Sequence, residues 1–250
     1  MTPMKAMIFA AGLGTRLKPL TDRMPKALVP VGGSPMLEHV ILKLKASGFT
    51  EIVVNVHHFA QQIIDFLQAN GNFGLSVHIS DERDRLLDTG GGIKKASVFF
   101  RDGTPFLVHN VDILSNTDLK ALYLRHTEEK SDATLLVSER STSRYLLFDD
   151  GFNLRGWLNK KTGETKPDGF ACTSGEYREY AFSGIHVISP SIFRYMDGQG
   201  TESKFSIIDF YLQNCRRAAL KGYFDKNLRL IDIGKPETLA QAERLFINTM

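Results

Sequence analysis

Cysteine is nearly missing from this chain. Its 250 residues hold two, Cys172 and Cys215, too few for a disulfide framework or a zinc site. A reducing cytoplasm is the simpler expectation. An excess of one charge is missing too: the net is +3, and Lys and Arg are dispersed among acids. That argues against nucleic acid as the main partner, and leaves room for a small anion held by local cations. No stretch approaches the roughly 20 apolar residues of a membrane span. Lys5-Ala-Met-Ile-Phe-Ala-Ala is too short for a signal peptide and runs into a glycine loop. No membrane partner is therefore expected. The tripeptide Gly-Lys-Ser/Thr does not occur, which excludes a Walker loop. Neither a Ser-His-Asp nor a Cys-His constellation stands out, and there is no hexapeptide repeat or low-complexity tract.

What is present begins with an apolar fraction of 42%, enough for a buried core. The length suits one large α/β domain or two small ones. The most informative stretch is Phe9 to Pro30. A buried strand, Met4 to Ala10, leads into it. Gly12 and Gly14 lack the Cβ that would keep a ligand away from the backbone. Thr15 adds a hydroxyl, and Arg16 and Lys26 add cations. Backbone N–H groups with fixed cations suit a polyphosphate. A dinucleotide fingerprint needs a third Gly and a full helix. Here Leu17 holds that place, and Pro19 and Pro25 cut a helix short. A plain strand-to-helix turn would explain the two glycines, but not Arg16, Pro25 and Lys26 at this spacing.

Farther on, the periodicity predicts a helix from Pro35 to Gly48, a buried strand Glu51–Val56, a helix from Ala60 to Asn70 and a strand Leu75–Ile79. This β-α-β-α-β rhythm predicts a doubly wound sheet with ligands at the carboxyl ends of its strands. His57 and His58 sit at such an end, but lack partners at metal-ligand spacing and read as structural or solvated. Leu87-Asp-Thr-Gly-Gly-Gly-Ile93 opens a helix that ends near Phe100. Glycines there allow close approach of a flat ring and leave free N–H donors; a turn capped by Asp88 or Thr89 is the plainer alternative. Pro105 to Ile113 reads as a buried strand ending in polar residues, with Asp112 at its edge. A helix from Asn116 to Glu129 and a strand Ala133–Val137 follow. Arg144–Asp149, Leu154–Leu158 and Tyr180–Ile188 read as a sheet extension. Between them, residues 159–169 form a polar loop without periodicity, a candidate lid. A helix is expected from Phe205 to Leu220, then a strand Leu228–Ile233 carrying Asp232. A last helix follows, with Pro236 in its first turn and Leu239, Ala242, Leu245 and Phe246 on one face.

Gly12-Leu-Gly-Thr-Arg16 followed by Pro25-Lys-Ala-Leu-Val-Pro30 resembles the signature of the sugar-nucleotide pyrophosphorylases, nucleotidyltransferases acting on sugar 1-phosphates. The resemblance extends through Leu87–Ile93, Asn110-Val-Asp-Ile113, Phe182-Ser-Gly-Ile185 and Asp232-Ile-Gly-Lys-Pro-Glu237, so it covers nearly the whole chain. The Thr-Gly-Gly-Gly run is similar to that of short uridylyltransferases of the N-acetylmuramate 1-phosphate type. The resemblance implies a Rossmann-like, mostly parallel mixed sheet flanked by helices, with a small β extension on the sugar side. It implies one domain, its nucleotide half about residues 1–138 and its sugar half about 139–250, without the β-helix tail of longer relatives.

It also implies residue roles. Arg16 and Lys26 would be catalytic. Ala11, Gly12, Gly14, Thr15, Thr89 and Gly90 would bind the nucleotide. Asn110, Lys160 and Gly184 would bind the sugar phosphate, and Asp112 and Asp232 would hold Mg²⁺. The chain departs from the family at Val111, where Gly is usual; at Asn159-Lys160, where Glu-Lys-Pro is common; and at Arg144-Tyr145, where Tyr-Gly is frequent. Alternatives remain: guanylyl or cytidylyl transfer, a non-catalytic nucleotide-sugar sensor, or a phosphocholine enzyme whose aromatic cage would draw on Tyr145, Trp157, Tyr177 and Tyr180. No oligomeric state is legible.

Overall fold

A computed structural model describes residues 3–170, 175–198 and 203–247, without the side chains of 245–247. Cys172 and the side chains of Leu245 and Phe246 lie outside the described residues. In chain order come β1 (Met4–Phe9), β2 (Pro30–Val31), β3 (Ser34–Pro35), α1 (Met36–Ala46), β4 (Phe49–Val56), α2 (Ala60–Ala69) and β5 (Ser76–Asp81). Next are α3 (Asp88–Ala96), β6 (Phe106–Asn110), β7 (Ile113–Ser115), α4 (Leu119–Glu129), β8 (Ala133–Ser138), β9 (Arg144–Phe148) and β10 (Leu154–Asn159). The chain continues with β11 (Thr165–Lys166), β12 (Arg178–Ile188), α5 (Ile207–Asn214), β13 (Leu220–Phe224), β14 (Leu230–Asp232) and α6 (Pro236–Ile247).

Two compact units are present. Unit 1 comprises Met1–Leu86, Val108–Leu119 and Arg229–Met250; unit 2 comprises Leu87–Leu107 and Lys120–Leu228. In unit 1, β1 pairs in parallel with β4, and β4 with β5. Ala6, Met7 and Ile8 of β1 and Ile52, Val53 and Val54 of β4 are all buried, as strands covered on both faces require. Helix α1 buries Met36, Leu37, Val40, Ile41 and Leu44. Each such side chain contributes about 1.5–3 kcal/mol relative to exposure. In unit 2, β12 pairs antiparallel with β8 and β9, β9 with β10, and β10 with β11, while β13 runs parallel to β8. The chain thus adopts the expected α/β class, a mixed sheet with helices, and β9–β11 supply the β extension.

Several boundaries differ from expectation. The strand foreseen over 105–113 breaks at Val111-Asp112 into β6 and β7. Helix α4 starts at Leu119, three residues late. Residues 159–169 are not an irregular loop throughout: β11 closes a hairpin on β10, with Trp157 opposite Lys166 and Leu158 opposite Thr165. The helix foreseen to Leu220 stops at Asn214, because the next segment is drawn onto β8. Asp132 donates its N–H to the Ala219 carbonyl (2.8 Å) and its carboxylate accepts the Ala219 N–H (2.9 Å). Residues 220–224 then form β13, where a Cβ on Gly222 would lie 2.9 Å from the Phe148 ring. Glycine is what that packing admits.

Candidate active site

The glycine loop leaves β1 under tight control. Asn55 Oδ1, at the end of β4, accepts the N–H groups of Ala10 (2.7 Å) and Ala11 (3.2 Å). Its amide nitrogen donates to Glu82 Oε1 (2.8 Å), and both Asn55 and Glu82 are buried. A buried amide or carboxylate is costly unless hydrogen-bonded, so this chain of contacts fixes where the loop begins. Gly12 is exposed. Gly14 has φ +64°, and a Cβ there would stand 2.7 Å from Thr21 Cγ2 and 3.0 Å from Lys26 Cβ. Its carbonyl accepts from Leu17 N–H (2.8 Å) and Thr21 Oγ1 (2.9 Å). The loop continues as three short 3-10 turns, Thr15–Leu17, Leu20–Asp22 and Lys26–Leu28, with no helix after the glycines. Leu17 is buried as an anchor, while Thr15 and Arg16 are exposed.

Lys26 is buried, and its ammonium pairs with Asp112 Oδ2. Asp112 follows β6, whose exit is tied to β1 where the Val111 N–H meets the Phe9 carbonyl (3.2 Å). The segments carrying the two strand-end aspartates lie side by side: β14 runs antiparallel to β7, Asp232 faces Ile113, and the Ile233 N–H donates to the Asp112 carbonyl (2.8 Å). Gly234 brings in the last member. A Cβ at this position would lie 2.7 Å from Arg16 Nη2 and 2.9 Å from Asp232 Oδ1. Arg16 and Asp232 therefore both lie against the bare backbone of Gly234. Unit 1 thus places the Lys26–Asp112 pair beside β14, and Arg16 and Asp232 beside Gly234, with Asn110 half-buried two residues before Asp112. Beside them His109 is buried, which lowers its pKa to about 4; it is a neutral packing group.

The two carboxylates give hard oxygen donors of the kind that hold Mg²⁺ together with phosphate oxygens. No group of three or more His, Cys, Asp and Glu side chains among the described residues could hold a metal by itself. His57 bonds the Glu82 carbonyl (2.7 Å) and His58 packs on Phe59, in keeping with structural roles.

Thr89, Gly90, Lys160 and Gly184 belong to unit 2. The amides at the start of α3 are not free, contrary to expectation. Gly90 and Gly91 donate to the Phe205 carbonyl (2.8 and 3.3 Å), and Thr89 Oγ1 accepts the Ile207 N–H (2.9 Å). A Cβ on Gly90 would sit 2.3 Å from the Phe205 ring. These glycines admit that aromatic side chain. Lys160 pairs with Glu179, which raises its pKa, and lies 4.8 Å over the Tyr145 ring. Gly184 sits in β12 at φ +73°, where the register to β8 shifts between Phe182 and His186. Of the proposed cage aromatics, Tyr180 is buried among Phe148, Phe152 and Phe224, and Tyr177 packs on Phe170. Trp157 and Tyr145 each already hold a lysine of the chain.

Sequence reasoning missed Asn55, Glu82 and Gly234 as parts of this site. A signal for Asn55 existed: one amide inside the apolar run Ile52-Val-Val-Asn-Val56 must find buried partners.

The family model described as nucleotidyl transferase matches residues 5–248. The N-acetylmuramate alpha-1-phosphate uridylyltransferase of Caulobacter vibrioides is 32% identical, over 96% of each chain. The enzyme of that name from Neisseria meningitidis serogroup B is 43% identical over 48% of this chain and 52% of its own. Among solved structures, a putative glucose-1-phosphate thymidylyltransferase from Bacillus anthracis superposes with a TM-score of 0.80 at 21% identity, covering 97% of this chain and 95% of that one. The match along nearly the entire sequence and the charged residues around the glycine loop lead to one conclusion: the chain belongs to the nucleotidyl transferase family and is an enzyme of the sugar-phosphate nucleotidyltransferase type.

Proposed function

We propose that this enzyme transfers a uridylyl group from UTP to a sugar 1-phosphate in the presence of Mg²⁺, releasing pyrophosphate. The observation that carries this reading is the placement, in unit 1, of the Lys26–Asp112 pair beside β14 and of Arg16 and Asp232 beside Gly234. The names of the two uridylyltransferase relatives support the choice of base and point to N-acetylmuramate 1-phosphate as the first sugar to try. A single domain with nucleotide and sugar halves, working in the cytoplasm, is part of the proposal.

A sugar 1-phosphate is already an anion near neutral pH and needs no general base. Its phosphate oxygen attacks the α-phosphorus of UTP, the bond between the α-phosphorus and its bridging oxygen breaks, and pyrophosphate leaves. The barrier is the repulsion between two anions. Arg16 holds the leaving phosphates, and Lys26 neutralises the α-phosphate. Gly12, Gly14 and Thr15 offer backbone and hydroxyl donors, with Ala11 held in place by Asn55. Asp112 and Asp232 would hold Mg²⁺, which would supply screening of the phosphate charge. Asn110, Lys160 and Gly184 serve the sugar phosphate, and Thr89 and Gly90 the nucleotide, as the family resemblance implies.

The test is pyrophosphate release with Mg²⁺, each of the four ribonucleoside triphosphates and a panel of sugar 1-phosphates. One productive pair, slowed roughly 100- to 1000-fold by Asp232→Asn, is the expected result. Wild-type turnover by that variant would remove Asp232 from the mechanism. Tight binding of a nucleotide sugar with silence across the panel would favour a sensor. A guanylyl or cytidylyl preference would overturn the base alone.

A further inference from the structure

Strands β7 and β14 form a two-stranded ribbon that pairs Ser115 with Leu230, Leu114 with Ile231 and Ile113 with Asp232. A ribbon this short is marginal in water by itself. Its position makes that matter. The chain leaves unit 1 after Leu119 and returns at Arg229, so Asp232 follows closely on a crossing between units. Without a clamp, the aspartate would share the freedom of that connection.

The clamp is Asn116. Its N–H donates to the Arg229 carbonyl (3.1 Å), and its side-chain Oδ1 accepts the Arg229 N–H (2.7 Å). The side-chain oxygen stands in for a strand carbonyl and extends the ladder by one step. At the other end of the ribbon, the Ile233 N–H donates to the Asp112 carbonyl (2.8 Å). A further tie comes from the core, where the half-buried Lys43 of α1 donates its ammonium to the Ser115 carbonyl. Asp232 is exposed, yet its backbone lies between these ties.

We infer that Asn116 is a positioning residue: by clamping Arg229 it fixes β14, and through β14 the place of the Asp232 carboxylate. The inference rests on the reading of Asp232 as a Mg²⁺ ligand. It gives a neutral surface side chain, outside the charged groups themselves, control over how well the site takes up the ion.

Mn²⁺ binding, followed by loss of the paramagnetic resonance signal of the free ion, tests this without turnover. Asn116→Ala should weaken binding about fivefold, the worth of one hydrogen bond. Asn116→Asp keeps the acceptor oxygen and should bind within about twofold of the wild type. The Arg229 and Ile233 amides should exchange with deuterium about fivefold faster in Asn116→Ala alone. Asn116 is exposed, so both variants should melt within about 4 °C of the wild type. A merely stabilising Asn116 would lower the melting temperature and leave Mn²⁺ affinity unmoved. Wild-type affinity in Asn116→Ala, or no rescue by Asn116→Asp, would overturn the inference while Asp232→Asn still weakens binding. If Asp232→Asn binds Mn²⁺ as the wild type does, or neither binds it, the metal reading of Asp232 falls and the inference with it. Weakened and rescued binding without pyrophosphate release would sustain the inference and dispose of nucleotidyl transfer instead.

Discussion

Replacing Gly234 with alanine should cripple turnover without unfolding the protein. The new methyl would stand 2.7 Å from Arg16 Nη2 and 2.9 Å from Asp232 Oδ1. Ordinary contact needs roughly 3.4 Å, so the guanidinium must retreat by about 0.7 Å and the carboxylate by about 0.5 Å. Both atoms end side chains that can swing away. The stability cost should therefore stay under about 1 kcal/mol, a shift of no more than about 3 °C in melting temperature. Catalysis is less forgiving, because a misplacement of about 1 Å can cost roughly 100-fold. We expect kcat/KM to fall by about 10- to 50-fold in the pyrophosphate-release assay. The clash acts largely through Arg16, so Gly234→Ala combined with Arg16→Ala should lose little beyond Arg16→Ala alone. A folded Gly234→Ala protein with wild-type turnover would refute the claim that the seating of Arg16 and Asp232 against Gly234 matters.

Other outcomes follow from the same contacts. Gly90→Ala drives a methyl to 2.3 Å from the Phe205 ring and 2.9 Å from its carbonyl. Overpacking of that kind costs about 1–3 kcal/mol, visible as a lower melting temperature; an unchanged one would contradict the packing role. Asn55→Ala leaves the Ala10 and Ala11 N–H groups and the Glu82 carboxylate short of a partner. It should cost about 2–4 kcal/mol in urea unfolding and weaken nucleotide binding; wild-type values for both would remove Asn55 as the loop's anchor.

Burial lowers the pKa of His126 to about 4 and of His186 to about 3. Both stay neutral in the fold but titrate near 6.5 when unfolded, so the unfolded chain binds the extra protons. Their contribution is complete above about pH 6.5 and is lost as pH falls toward 4 and 3. Each should remove about 2 kcal/mol between pH 7 and 5. Urea midpoints that do not move over that range would show the reading to be wrong.

Local features were legible in the sequence. Strand β1 and helix α1 announce themselves by apolar runs and 3.6-residue periodicity, since burial of one strand or one helix face needs only neighbouring residues. The special character of the Gly12–Lys26 loop was equally plain. Gly14 must adopt a left-handed conformation, and the prolines prevent a helix. Strand β13 was not legible: Lys221-Gly-Tyr has no alternation, and its pairing depends on Asp132, 87 residues earlier. Nor was the hairpin of β10 and β11, whose polar residues look like any surface loop.

The charged residues of the proposed site, Arg16, Lys26, Asp112 and Asp232, could thus be singled out from their motifs in the sequence itself. Their placement was decided by tertiary structure alone, through the β7–β14 ribbon and the bare backbone at Gly234. The same holds for Asn55, a polar residue in an apolar strand until its amide is seen to hold the loop. Periodicity reports which face of an element is buried, but carries no record of which distant element will lie against it. That depends on long-range pairing, whose energy arises only once the chain has closed on itself.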